Sequence, residues 1–264
     1  DHRDLHSFPT RRSSDLDGRG EPGSAHWLAR VLALVDRIRT SEAAEDIVQV
    51  FGETAQLLGA SSATFLSFVR DDALLASYRS VHVGHPAWPA EYARGEWFTE
   101  DPWLAYSLRE SEPVLSRDIQ AASAKQQQFT AQASRLGYAT ALIVPAPSPQ
   151  GQARVGVLCL GSTDPAAFDA VLPARLLLAR SLAMEMHAWM RHSVREELVR
   201  RARLTDTDIE LLRHELAGRG SKAIGALTGL EAKTIDCRFQ RVCGRLGVPN
   251  RRAAVRIALL YGLL

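Results

Sequence analysis

The sequence predicts an α+β protein of two domains: an α/β/α sandwich with an antiparallel sheet, then an all-α module of four helices. Three observations predict it. Over residues 25–191 the periodic segments run helices, two strands, helices, two strands and a long helix, the order of a hairpin-built sheet covered on both faces. Residues 204–264 carry helical periodicity alone, interrupted by glycines. Charge divides at the same place: residues 200–264 hold 13 Lys+Arg against 6 Asp+Glu, a net of +7, whereas residues 1–199 carry −5. A basic module behind an acidic one points to a polyanionic partner for the tail only. At 264 residues, 46% hydrophobic and 23% charged, the chain has globular composition and enough length for two cores.

Taken in order, residues 1–24 read as a disordered or artefactual lead-in. DHRDLHSFPTRRSSDL has no apolar stretch of the kind a secretory signal needs, and FPTRRSSDL resembles a translated sequencing-adapter fragment. A basic arm touching DNA is the alternative. Ser24 is placed to cap a helix through HWLARVLALVDRIR, with Trp27, Leu28, Val31, Leu32 and Val35 as its apolar stripe. Ser41 and Glu45 start a second helix, to about Leu58, and Gly59 ends it. Residues 63–70 and 73–80 flank Asp71-Asp72 as an antiparallel hairpin. Residues 85–111 read as short, aromatic-rich helices, and PVLS (113–116) as an edge strand or loop. A polar helix covers Ser123 to Arg135, closed by Gly137; residues 140–147 and 153–162 form a second hairpin around SPQGQ. Pro165 opens a long helix to about Arg191, so residues 25–191 form the first domain and charged residues 192–203 a linker.

The tail, 204–264, begins with Thr205 as cap and Asp208 three positions on, close to a capping box. Ile209, Leu211, Leu212 and Leu216 give this helix its apolar side, and Gly218 and Gly220 end it. Ser221 caps a second helix with Ile224 and Leu227 inward, weakened by Gly225. Gly229-Leu230 is the turn, and Ala232–Leu246 follows as the third helix. The last helix, from about Arg251 to Tyr261, places Ala254, Ile257, Ala258 and Tyr261 on one side. Two short helices joined by a Gly turn are a helix-turn-helix signature. In the third helix Ile235, Phe239, Val242 and Leu246 make one stripe, and Thr234, Arg238, Arg241 and Arg245 make the adjacent one. A helix anchored by its apolar side and showing Arg outward suits the major groove; a solvated amphipathic helix is the plainer alternative. Lys222, Lys233, Arg251 and Arg252 are candidate phosphate contacts, and Arg238, Gln240 and Arg241 candidate base contacts.

Other chemistry is excluded by what the spacing lacks. Cys159, Cys237 and Cys243 show neither a disulfide framework nor zinc-ligand spacing, which fits a reducing cytoplasm. No apolar run approaches the ~20 residues needed to span a bilayer. His82, His85 and His187 have no nucleophile or metal partner at recognisable spacing, so no enzyme, metal or cofactor is expected.

Trp88, Tyr92, Trp97, Trp103 and Tyr106 fall close together around Asp101-Pro102. They suit an ordinary core with a helix-start pair as well as a cavity whose Asp accepts from an amide and whose Trp donates to a carbonyl. The pattern W-x₃-Y-x₈-DP, as Trp88, Tyr92, Asp101 and Pro102, resembles the acyl-homoserine-lactone-binding domain of LuxR-family quorum-sensing regulators. LTDTDIELL through YGLL resembles that family's helix-turn-helix, with Asp208, Leu212 and Gly218 at its Glu, Leu and Gly positions. The resemblance implies that Trp88 donates to the lactone carbonyl, that Asp101 accepts from the acyl amide, and that Tyr92 lies near the acyl carbonyl. The candidate ligand site also takes in Trp97 from the aromatic cluster and, by the resemblance, Pro102, Ser116, Ala141 and Cys159; Thr234 and Arg245 of the outward stripe join the candidate DNA contacts. Ser116 replaces a usual Trp, Ala141 a usual Gly, Gly84 a frequent Tyr and Cys159 a frequent Ser/Thr, so the lactone end is expected to be enlarged or reshaped. The implied partners are a small-molecule effector such as an N-acyl-homoserine lactone, palindromic double-stranded DNA bound as a homodimer, and the transcription machinery. A ligand-independent regulator that pairs with a homologous factor is the alternative, and a filled cavity would favour it.

Overall fold

A computed structural model describes residues 23–41, 43–70, 76–148 and 154–264. The lead-in at 1–22 and the two hairpin turns, around Asp71-Asp72 and within SPQGQ, lie outside the described residues. The chain divides into two compact units between Trp189 and Met190.

The first unit begins with α1 (Ala25–Thr40) and α2 (Ala44–Leu57). Ser24 caps α1 as expected, accepting from the Trp27 N–H. The buried stripe of α1 is Trp27, Val31, Leu34, Val35 and Ile38; Leu28 and Leu32, placed inward by the sequence reading, are exposed. The reason is angular: the 27/31/34/38 row and Val35 fill the arc facing the core, which leaves Leu28 and Leu32 on its flank. Among the described residues α2 has no side-chain cap, its N-cap being Ala43.

Among the described residues five strands follow: β1 (Ser62–Arg70), β2 (Ala76–Val83), β3 (Val114–Leu115), β4 (Thr140–Pro147) and β5 (Arg154–Ser162). They form one sheet in the order β2-β1-β5-β4-β3, every neighbour pair antiparallel. The second strand runs to Val83, three residues beyond its expected end, with Phe68 opposite Tyr78. Alternation along the strands sorts side chains to two faces. Phe65 on one face meets His187 of α6 (Pro165–Ala202), with ring centroids 6.4 Å apart, and Val83 on the same face meets α2 at Gly52. On the other face Leu66, Phe68, Tyr78, Ile143, Val155, Val157 and Cys159 form one cluster with three further helices. These are α3 (Trp88–Arg94), α4 (Pro102–Ser107) and α5 (Ala124–Arg135). The α/β/α sandwich expected from the element order is the observed fold. Residues 192–203, read as a linker, are helical almost to their end, because α6 continues to Ala202.

The second unit holds α7 (Asp206–Leu216), α8 (Ser221–Thr228), α9 (Ala232–Leu246) and α10 (Arg251–Leu260). Thr205 and Asp208 form a complete capping box. Ile209, Leu211, Leu212, Ile224, Ile235, Phe239, Val242, Ala254 and Ala258 build the core. Three side chains read as inward or capping differ. Leu216 and Leu227 are exposed, since each lies at the end of a short helix beyond the last core contact, and Ser221 is no cap. Its hydroxyl donates to the Asp236 carboxylate instead. Gly225 also has a positive reason to be glycine: a Cβ there would collide with the Leu230 carbonyl oxygen in the turn.

Gly225→Ala therefore destabilises the second unit by about 1–3 kcal/mol, although alanine is the better helix former. Urea unfolding followed by circular dichroism checks the sign; a stabilised variant would show the turn to be slack.

Candidate functional site

The face of the sheet under α3–α5 carries a buried carboxylate. Asp101 precedes Pro102 in extended conformation and caps α4, its Oδ1 accepting from the N–H groups of Trp103 (2.8 Å) and Leu104 (3.2 Å). Proline suits the first helical position, where no N–H is needed. Trp88 and Tyr92 lie one turn apart on α3, and the Tyr92 hydroxyl donates to Asp101 Oδ2 at 2.9 Å. Asp101 is only 6% exposed. Burial raises its carboxyl to a pKa of about 6, against the lowering effect of Tyr92 and the two backbone N–H groups. Burial, then the Asp101 charge, pushes the Tyr92 phenol well above its ordinary range.

These three residues line a cavity, as does Cys159 of β5, whose thiol burial pushes up. Thr64 and Leu66 of β1, Tyr78, Ser80 and His82 of β2, and Trp103 of α4 complete most of the wall. Among the described residues no Lys or Arg lines it. The rings pack around Phe129, with centroids 5.0 Å away for Trp103, 5.9 Å for Trp88 and 5.8 Å for Trp97. They leave about 20 Å³ for the centres of water-sized molecules, room for roughly one water. The Trp103 indole N–H is buried and has no acceptor among the described residues, an arrangement that costs ~1–3 kcal/mol until one is supplied.

Of the residues read from the sequence, Trp88, Tyr92, Asp101 and Cys159 thus converge on the cavity. Trp97, Pro102, Ser116 and Ala141 stand outside its lining. Trp97 covers Phe129 from a half-buried position, and Pro102 starts α4. The Ser116 hydroxyl accepts from the Ala141 N–H at 3.0 Å, so the residue read as reshaping the lactone end ties the end of β3 to β4. Sequence reasoning missed a polar group on the sheet. Thr64 Oγ1 lies 2.9 Å from His82 Nδ1 and 2.6 Å from the Tyr138 hydroxyl, and His82 Nε2 lies 3.0 Å from the His85 carbonyl oxygen. Alternation of Tyr78, Ser80 and His82 put those three on one face; only pairing could bring Thr64 opposite His82.

In the second unit the arginines divide into two groups. Arg245, its side chain still 39% exposed, bonds Asp208 Oδ2 (2.9 Å) and the Arg203 carbonyl oxygen (3.0 Å). Arg251 bonds Ser221 (2.9 Å) and Asp236 (2.5 Å), with its guanidinium 4.0 Å from the Phe239 ring centroid. Both were read as DNA contacts, and both have their guanidinium groups engaged in joining helices. Lys222, Lys233, Gln240 and Arg241 are exposed, Thr234 and Arg238 half-buried. Among the described residues Lys222, Lys233, Arg238 and Arg241 make no ion pair.

A ring-lined cavity with one buried carboxylate, enclosed between an antiparallel sheet and a helical layer, defines a small-molecule sensor domain. The chain belongs to the autoinducer-binding domain family, which matches residues 43–188. The resemblance to LuxR-type quorum-sensing regulators is borne out by that match. No curated protein matches the chain. Among solved structures it is similar in fold to Escherichia coli SdiA (17% identity, TM-score 0.63, covering 90% of this chain and 98% of that one). SdiA in complex with octanoyl-rac-glycerol gives 15% identity and a TM-score of 0.65, covering 91% and 97%. The N-acylhomoserine-lactone-dependent LuxR-family factor CepR2 from Burkholderia cenocepacia gives 16% and 0.52, covering 63% and 97%.

Asp101 makes stability depend on pH. Its folded pKa is raised from 3.8 to about 6, so its contribution is complete below about pH 4 and is lost as pH rises through 6. Asp101→Asn, which does not titrate, loses less stability than the parent between pH 4 and 7, by on the order of 2–3 kcal/mol. Parallel pH profiles in denaturant unfolding would contradict the assignment.

Proposed function

We propose that the protein is a ligand-responsive, DNA-binding transcriptional regulator. It senses an acyl-homoserine lactone or a related uncharged amide and binds palindromic DNA as a dimer. The observation that carries the reading is Asp101: a buried acceptor beside Tyr92 and Trp88, in a wall that holds no Lys or Arg among the described residues, suits an amide N–H and disfavours an anion. Family membership and the structural neighbour SdiA in complex with the uncharged octanoyl-rac-glycerol support it. Because so little volume is open, a ligand enters only by displacing rings, and its own surface then becomes part of the core. Binding of that kind shifts population toward the folded, ordered sensor. Arg238, Gln240 and Arg241 on α9 read base edges, with Lys222, Lys233 and Arg252 on phosphates. The protein acts in the cytoplasm by binding, without catalysis; no described helix is long and apolar enough to cross a membrane.

The tight cavity also favours a second reading, a ligand-independent regulator acting by pairing with a homologous factor, its core completed by Phe129 and the surrounding rings.

Asp101→Asn separates the two. Asparagine keeps an oxygen to cap α4 and replaces the other with an NH₂ donor. The parent's melting temperature rises with N-acyl-homoserine lactones and the variant's does not; equal rises in both exclude Asp101 as the amide acceptor, and no rise in the parent favours the second reading. For DNA, Arg241→Ala weakens binding to the operator by about 1–3 kcal/mol and to random duplex much less. Equal losses in a fluorescence-anisotropy titration would reduce Arg241 to a phosphate contact.

A further inference from the structure

A carboxylate on α9 carries the inference, which rests on the DNA-binding reading above. The buried row of α9 is Ile235, Phe239 and Val242. At about 100° per residue, the arc turned away from that row holds Lys233, Asp236, Cys237, Gln240 and Arg241, all exposed. Asp236 and Gln240 lie one turn apart on this arc, with Asp236 nearer the start of the helix. The second helix of a helix-turn-helix contacts base edges with its N-terminal residues. Asp236 thus stands where the bases come closest, a negative charge in a tail whose net charge over residues 200–264 is +7.

Contacts within the fold fix its position. The Ser221 hydroxyl donates to Asp236 Oδ1. Arg251 donates to the same oxygen at 2.5 Å and to the Ser221 hydroxyl at 2.9 Å, with its guanidinium 4.0 Å from the Phe239 ring centroid. The Ser221 bond, then Arg251, holds the Asp236 carboxyl below its ordinary range, so it is ionised at neutral pH. Both donors take Oδ1. Among the described residues Oδ2 has no hydrogen-bond partner, and the side chain is 53% exposed. An ion pair so open to water adds little to stability. Towards DNA the same carboxylate is a liability, repelled by each phosphate it approaches. One contact in the major groove reverses that sign: the cytosine amino group is a donor, and Asp accepts from it.

We propose that Asp236 is a base-reading residue: its Oδ2 accepts from the N4 amino group of a cytosine in each half-site, while Ser221 and Arg251 hold Oδ1 and set the direction of the free oxygen. Guanine and thymine present only acceptors at that edge, and adenine sets its N7 beside its amino group, so each meets the carboxylate with a lone pair. Arg241 and Gln240 favour particular bases by attraction. Asp236 acts mainly by rejecting the other three, which is how a residue that lowers overall affinity raises specificity.

The test selects duplexes from a pool with a randomised centre, using the full chain with and without N-octanoyl-homoserine lactone. The enriched sequence is then titrated with each of the four bases at every position. At one position per half-site the parent binds cytosine about fivefold or more tightly than any other base. Asp236→Asn keeps an oxygen for Ser221 and Arg251 and puts an NH₂ donor in place of Oδ2. Its preference at that position moves from cytosine to a base that offers an acceptor, guanine or thymine, and its binding to random duplex tightens. Asp236→Ala brings the ratio close to one. A carboxylate that only joined helices would, once replaced, weaken binding to all sequences equally; one that only repelled phosphates would tighten it equally. Either result with base preferences unchanged overturns the inference and leaves DNA binding standing, as does a parent that favours cytosine at no position. No enriched sequence in either condition overturns the DNA-binding reading and the inference with it.

Discussion

The sensor domain depends on keeping one carboxylate inside a ring-lined core. Asp101 is tolerated there because each of its oxygens has work in the fold: one caps α4 and the other holds the Tyr92 hydroxyl. Those bonds fix the start of α4 and the rotation of α3, and with them the positions of Trp103, Trp88 and Tyr92 on the cavity wall. Burial still outweighs them, which is why the carboxyl titrates high. A group held at such cost in an otherwise apolar layer is where a partner outside the chain has most to gain.

The sheet supplies the opposite wall, and its spacing is set by small residues. A Cβ at Gly156 would collide with His187 and Phe65, and one at Gly161 with Tyr138. Glycine on β5 thus lets α6 sit close on one face and the Tyr138 ring close on the other. The second contact holds the Tyr138 hydroxyl against Thr64, so the polar row depends on a missing side chain in the neighbouring strand. Thr64, His82 and Tyr138 come from three separate segments, and each is polar where its strand or turn faces the core.

In the tail, one residue type has two roles. Arg245 neutralises the Asp208 carboxylate that completes the capping box, and Arg251 joins α8, α9 and α10 through Ser221, Asp236 and Phe239. With Arg245 paired to Asp208, Arg238 and Arg241 are the arginines of the α9 stripe that make no ion pair among the described residues.

Local patterns alone determined the order of elements, the capping box at Thr205, the Asp101-Pro102 helix start and the apolar stripe of α9, because capping and periodicity act within a few residues. The family resemblance carried by the W-x₃-Y-x₈-DP pattern pointed to Trp88, Tyr92 and Asp101, which lie within one short run of chain and line the same cavity. Leu28, Leu32 and Leu227 misled, as an apolar side chain on a helix flank looks the same in sequence as one on the buried arc. Ser116 faced β4 and Arg245 faced Asp208 for reasons that no local pattern carries, the partners being remote in the chain. The Thr64–His82–Tyr138 row was decided by tertiary structure alone. Strand register sets which residues of β1 and β2 face each other, and a hydrogen bond's direction exists only once all its partners are in place.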